Sequence, residues 1–284
     1  MQMKTATFHL TREYDKTIEQ HYKLVAEEFG LSATSTMADE ITRASESTAI
    51  IQFVSEALTR RQQAGASTPT TIMDVGCGNG YTLQLLVEEF PEQRFIGIEK
   101  SNELRSLAQS RFDGRHEIEI VEGDIRVPGF ADMASVDILV CQRVLINLLD
   151  EEDQKSALRN LINVVHSGGT LLFIEAFSSS LVKLNEARAE FELSSIPPAH
   201  HNLYLADDFF EIDELKPLSN NRLQPTNFLS THYFVTRVLH PLHLGDRPLK
   251  RNSEFVRFFS QALKENVGDY SPLKLYMFEK ASAE

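Results

Sequence analysis

Thr-Ile-Met-Asp-Val-Gly-Cys-Gly-Asn-Gly-Tyr, residues 71–81, places Asp74, Gly76, Gly78 and Gly80 at alternate positions at the end of a short apolar run. A run of that length followed by bare backbone reads as a buried strand, a glycine-rich turn and the start of a helix. Such a turn brings the main chain close to a ligand and offers it backbone N–H groups at the positive end of a helix dipole. A nucleotide-like ligand is therefore the first expectation. A tight strand-to-helix connection uses the same residues, so the turn alone does not decide.

Downstream the pattern repeats. "YTLQLLVEEF" (81–90) carries Leu83, Leu86, Val87 and Phe90 on one helical face, and "RFIGIEK" (94–100) reads as a second strand. "SNELRSLAQSRF" (101–112) is a helix with Ser101 at its N-cap; "EIEIVEGD" (117–124) and "VDILVCQ" (136–142) are strands three and four. "DEEDQKSALRNLINVVH" (150–166) is a long helix with acids at its start, the Gly168-Gly169 pair suits its C-cap, and "TLLFIEAF" (170–177) is strand five. Strict strand–helix alternation predicts a parallel sheet with helices on both faces and right-handed crossovers.

Upstream, residues 14–58 read as helical around a polar break, with the second helix starting at Ser35 or Thr36. After strand five, residues 178–218 look like helices and irregular chain. Two further runs, "STHYFVTRVLH" (230–240) and "PLKLYMFEK" (272–280), read as strands at the sheet edge. The division expected is an N-terminal helical cap segment, 1–64, and a ligand-binding domain, 65–284, with a lid insertion at about 178–218.

The chain has 284 residues, 42% of them hydrophobic, enough for one substantial core with an insertion. Its 28 Lys and Arg against 41 Asp and Glu give a formal charge of -13, which repels polyphosphate backbones, so nucleic acid is not an expected partner. The charged N-terminal stretch and the lack of a long apolar run predict neither a signal peptide nor a membrane span. With two cysteines, Cys77 and Cys141, and no His or Cys at zinc-ligand spacing from either, the expectation is free thiols, a cytoplasmic setting and metal-independent chemistry. A homodimer is left open.

These residues together resemble class I S-adenosylmethionine-dependent methyltransferases, over roughly residues 45–280. The glycine run fits that family's D/E-x-G-x-G-x-G loop, whereas a dinucleotide fingerprint starting at Gly76 needs glycine where Tyr81 stands. The resemblance implies a Rossmann-like, seven-stranded, mostly parallel sheet whose antiparallel last strand lies between strands five and six. It implies that Asp74, Gly76, Gly78 and Gly80 bind S-adenosylmethionine, that Glu99 accepts hydrogen bonds from both ribose hydroxyls, that Asp124 meets the adenine amino group and that Ile125 packs on the ring. Gln142 and Arg143 would line the methionine end of the cofactor or the substrate. A narrower resemblance, through "HYKLVAEEFGLSATSTMADEITRASE", "QRVLINLLDEEDQKSALRNL" and "IPPAHHNLYL", is to a broad bacterial group that includes small-molecule and polysaccharide modifiers.

Methyl transfer from a sulfonium needs an aligned acceptor, excluded water and, for a hydroxyl or amine, a proton acceptor. His201, in the insertion, is the candidate general base because imidazole titrates near neutrality, with His200 its rival. Glu175 ends strand five in the crevice where open α/β sheets bind ligands; it either orients an acceptor or caps the following turn. Arg143, His200, Asn202 and Tyr204 are the candidate substrate contacts, and Asp39, Glu40 and Arg43 read as a solvated helix face. The expected activity is methylation of a small-molecule or glycan acceptor at oxygen. A nitrogen or carbon acceptor, an NAD-dependent oxidoreductase and a non-catalytic S-adenosylmethionine-binding relative are the alternatives.

Overall fold

A computed structural model describes residues 11–282 apart from 34, 36, 67–68, 132–134, 219–226, 246 and 249–251. The expected start of the second helix at Thr36 lies outside the described residues. Two helices, α1 (Asp15–Phe29) and α2 (Glu40–Gln63), precede the sheet. Then follow β1 (Thr71–Val75), α3 (Tyr81–Glu89), β2 (Arg94–Ile98), α4 (Asn102–Arg111), β3 (Ile118–Val121), β4 (Val136–Gln142), a 3-10 turn (Leu145–Asn147), α5 (Glu151–Val164), β5 (Val165–Ala176) and α6 (Ser178–Ala189). The remainder is β6 (Leu215–Pro217), α7 (Ser230–Phe234), a π-helical turn (Val235–Leu239), α8 (His240–Leu244), α9 (Glu254–Ala262) and β7 (Leu273–Lys280).

The strands form one seven-stranded sheet in the order β3-β2-β1-β4-β5-β7-β6. Strands β1 to β5 pair in parallel, and β7 is antiparallel to both of its neighbours. This is the Rossmann-like arrangement with a reversed last strand. The order turns around between β1 and β4, and the C-terminal ends at that switch point form a crevice.

Side-chain alternation along the buried strands fills two cores. Ile72, Ile138, Val140, Leu172 and Ile174 face one side, packing with Ile50, Phe53 and Val54 of α2 and Leu83, Leu86 and Val87 of α3. Met73, Leu139, Cys141, Leu171 and Phe173 face the other, packing with Ala157, Leu158 and Leu161 of α5 and with Phe210. Both cysteines are buried and free. Among the described residues, no helix is long and apolar enough to cross a membrane.

Three local readings change. The run 230–240 is helical rather than a strand, because Val238 packs with Leu181 and Leu184 of α6, Val235 is buried, and the Thr236 hydroxyl donates back to the His232 carbonyl. The sixth strand is instead the three-residue β6, ended by Pro217 at the sheet edge, where the missing N–H does no harm. Second, α2 begins at Glu40 rather than at Ser35: Asp39 is its N-cap and accepts from the Thr42 N–H at 3.0 Å, while the Ser35 hydroxyl receives the Asn79 amide. Third, Gly168 and Gly169 do not cap α5 but sit inside β5 beside a register shift, and a Cβ on Gly169 would come within 2.9 Å of the Asp137 carbonyl.

Candidate active site

The turn after β1 is built by its glycines. Gly76, Gly78 and Gly80 have φ of 66°, 58° and 79°, the left-handed region that side chains with a Cβ resist. A Cβ on Gly76 would also fall 2.4 Å from Val144 of the loop after β4, so the two loops close on each other only because that position is bare. The turn folds back through Gly80 N–H to the Cys77 carbonyl, and Cys77 N–H ties it to Ile98 at the end of β2.

Facing this turn is Glu99, just past β2. Its carboxylate accepts from the Gly78 N–H at 2.8 Å and from the Ser101 N–H at 2.7 Å. Burial pushes its pKa up, and those N–H groups and the Arg105 charge oppose the rise. An acid this enclosed, with few other partners, is a prepared acceptor for polar hydrogens on a ligand.

At the ends of β1 and β4 the sequence reading was incomplete. Of the residues read as a solvated helix face, Asp39 and Arg43 are buried and only Glu40 is exposed; Glu46, on the same inner face of α2 as Arg43, is buried too. Arg43 donates to the Thr82 hydroxyl at 3.1 Å and to the Gln142 side-chain oxygen at 3.3 Å, and its guanidinium lies 5.0 Å from the centre of the Tyr81 ring. Asp74, 2% exposed, has one carboxylate oxygen with no hydrogen-bond partner among the described residues, and so does the Gln142 side-chain amide nitrogen. Burial raises the Asp74 carboxyl to about 7 against the pull of the Arg43 charge, with Glu99 adding to the rise. Arg143 follows β4 with φ of 55°, unusual for a residue with a side chain, and its guanidinium meets Glu46 at 3.3 Å.

Asp124 stands at the end of β3 in an ion-pair network: Arg126 reaches it at 2.5 Å and Lys100 at 3.3 Å. Burial would raise its carboxyl, but those two cations outweigh it and hold the group below its ordinary range. Arg126 and Lys100 also hold Asp15 at the start of α1, and Arg12 and Tyr14 bind Asp153 of α5. The network thus anchors α1 over this end of the sheet. Ile125 is 5% exposed and belongs to the core. The α1–α2 connector is fastened directly to the glycine turn, because the Asn79 amide donates to the Gly30 and Ser32 carbonyls at 2.8 and 2.9 Å.

Glu175 is fully buried and committed. It accepts from the backbone N–H groups of Val144, Leu145 and Ile146 at 2.9, 3.0 and 3.3 Å, which shapes the turn after β4. Burial lifts it to about 7 despite these bonds.

The segment 200–205 runs beside that turn, with Leu203 N–H on the Ile146 carbonyl and Leu205 N–H on Ala176. His200, His201, Asn202 and Tyr204 therefore sit at the ends of β4 and β5. The Asn202 side-chain oxygen is buried and has no hydrogen-bond partner among the described residues, and burial raises the Tyr204 hydroxyl. His201 is brought down to about 4 by burial and by the neighbouring imidazoles of His21 and His200. From α1, His21 stacks on His201 and Tyr22 accepts from the Asn147 amide at 2.7 Å. His21 escaped the sequence reading and Tyr22 counted there only as an apolar helix position, since nothing in a helix pattern says which element its faces will meet.

Residues 72–169 match the family described as a methyltransferase domain. Over 57 residues the chain is 40% identical to the trans-aconitate 2-methyltransferase of Acidovorax sp. (strain JS42), covering 20% of this chain and 21% of that protein. It is 22% identical over 154 residues to the malonyl-[acyl-carrier protein] O-methyltransferase of Paenibacillus sp. (strain JDR-2), covering 53% and 55%. The matches thus span from a fifth to about half of the length of these curated relatives. Among solved structures, the chain resembles the magnesium protoporphyrin IX methyltransferase of Synechocystis PCC 6803 with bound S-adenosylmethionine. The TM-score is 0.55 at 9% identity, over 96% of this chain and 100% of that one. Residues 72–169 match the methyltransferase-domain family, and the chain around them has the same Rossmann-like fold as the solved methyltransferase.

Proposed function

We propose that the protein is an S-adenosylmethionine-dependent methyltransferase that modifies a small-molecule or glycan acceptor at oxygen. The observation that carries this reading is the buried Glu99 carboxylate set against the bare Gly76–Gly80 turn, at the switch point of a sheet with a reversed last strand. The residues present fit the cofactor. Glu99 offers acceptors to vicinal hydroxyls, Asp124 and Ile125 mark the adenine end, and unpartnered atoms on Asp74 and Gln142, with Arg43 beside them, suit an ammonium and a carboxylate. When bound, S-adenosylmethionine supplies an electrophilic methyl on a sulfonium, already an excellent leaving group.

The chain's own residues hold and enclose. In this reading α1, α2 and their connector act as a cap that excludes water, and the chain after α6 acts as a lid carrying the acceptor contacts His200, Asn202 and Tyr204. Glu175 is a positioning residue that sets the loop bearing Arg143. His201, at about 4, is too weak a base to take a proton efficiently from an alcohol at neutral pH. That favours an acceptor oxygen that arrives ionised, a carboxylate, with Arg143 to attract it. The names of the relatives, a trans-aconitate methyltransferase and a malonyl O-methyltransferase, support the same choice. Tyr81 in place of glycine and the reversed β7 argue against a nicotinamide oxidoreductase.

The test is incubation with methyl-labelled S-adenosylmethionine and a panel of di- and tricarboxylic acids, with hydroxylated and amino acceptors alongside. Base-labile label and S-adenosylhomocysteine release with the acids support the reading. Transfer to amines alone overturns the oxygen assignment, and no transfer to any acceptor favours a non-catalytic relative.

A further inference from the structure

Three imidazoles meet where α1 crosses the lid, and the cradle described above uses none of them for the donor. His21, His200 and His201 each place a ring nitrogen within 4.8 Å of the other two. The His21 and His201 rings stack at 3.8 Å, and His200 approaches His201 edge-on at 4.9 Å. Among the described residues none of the three forms an ion pair with a carboxylate, and the buried Nδ1 of His201 has no hydrogen-bond partner. Burial and mutual repulsion lower His21 and His201, which leaves their nitrogen lone pairs available. A cluster of histidines with no counter-charge and an orphaned nitrogen lacks the partner that buried polar groups ordinarily have.

We propose that His21, His200 and His201 form a binding site for a divalent transition-metal ion of the zinc class, one nitrogen from each residue. Neutral imidazoles suit this class of ion, and three protein ligands with one exposed member, His200, leave a fourth position for water or an acceptor oxygen. Zinc–nitrogen bonds of about 2.0–2.1 Å in a tetrahedron put the nitrogens roughly 3.3–3.4 Å apart, so the site closes by about 1.5 Å at most. The stacked pair must splay as it does so, and His200, being exposed, has room to swing. The ion would clamp the lid loop to α1 across the mouth of the crevice. This site stands apart from donor binding and does not depend on it.

The test uses the full, untagged chain, stripped with a chelator and titrated with Zn2+ by calorimetry and with Co2+ by visible absorption. The expected result is one tight equivalent of Zn2+ and the intense visible bands of four-coordinate cobalt. His200→Ala, at an exposed loop position that leaves packing intact, should weaken binding at least about tenfold, and His21→Ala should do the same. His243→Ala, on α8 and outside the cluster, should leave binding unchanged. Titration of the same samples with S-adenosylhomocysteine reports separately on the donor site, and circular dichroism on folding. No binding of Zn2+ by the folded native chain, or binding that survives both His200→Ala and His21→Ala, overturns the proposal.

Discussion

At the scale of single residues, the site is a set of buried acids held in different states by their surroundings. Asp74 is lifted to about 7 while an unfolded aspartate titrates near 4. A raised carboxyl pKa means that the folded state holds the proton more tightly, so its stabilising effect is present below about pH 4 and is lost as pH rises through about 7. Asp74→Asn removes that dependence. Its melting temperature relative to the native chain should therefore climb between pH 4 and 8, and a gap that stays flat would contradict the assignment. Glu175 is raised too, but three backbone N–H groups depend on it. Glu175→Gln should lower stability by about 1–3 kcal/mol, seen in denaturant melts, because an amide cannot serve all three donors with a charged acceptor. S-adenosylhomocysteine affinity should fall less than stability does.

At the scale of elements, α2 is the piece whose role the sequence hid. Its inner face carries Arg43, which the pattern reading assigned to solvent, and Glu46, and the crevice supplies them with Gln142, Thr82 and Arg143. Asp39 caps the helix just before Glu40 and pairs with His232 of α7 at 3.1 Å. Burial alone would raise Asp39, but the His232 hydrogen bond, the Thr42 N–H and the charges of His232 and Arg237 outweigh it and hold the group at about 2. The depressed pKa contributes stability above about pH 4 that is lost as pH falls toward 2. Asp39→Ala should cost about 1 kcal/mol or more at neutral pH through loss of the cap, with the deficit shrinking in acid unfolding followed by circular dichroism. Strands β1, β2, β4 and β5 were legible because short, nearly continuous apolar runs between helix patterns agree with burial on both faces. The run 230–240 was not: its β-branched and aromatic residues favour a strand locally, and only packing against α6 makes it a helix. The true β6 is too short to leave a pattern.

At the scale of the whole molecule, the parallel core of the sheet and the glycine turn were readable from one chain because both rest on local rules, βα alternation and the left-handed φ of Gly76, Gly78 and Gly80, whereas the place of the reversed last strand came from the family resemblance. Glu99 was singled out through that resemblance, by its place after strand two. The proposed acceptor side was only partly anticipated. His200, His201 and Asn202 were flagged, but His21 and Tyr22 come from a helix far away in sequence, and tertiary folding alone brings them together. At the C-terminal end of β4, side chains of α1 and α2 meet the strand and the turn after it, and the chain at 203–205 runs beside them. The claim at the centre of this account is that Glu99 and the glycine turn bind the methyl donor. Calorimetric titration of the native chain and of Glu99→Gln with S-adenosylhomocysteine tests it most directly, with circular dichroism to confirm that both fold. Saturable one-to-one binding by the native chain, weakened in the variant by about 1.5–3 kcal/mol for the lost charged acceptor, is the predicted result. A folded native chain that binds no S-adenosylhomocysteine, or a variant that binds it equally well, would contradict the account.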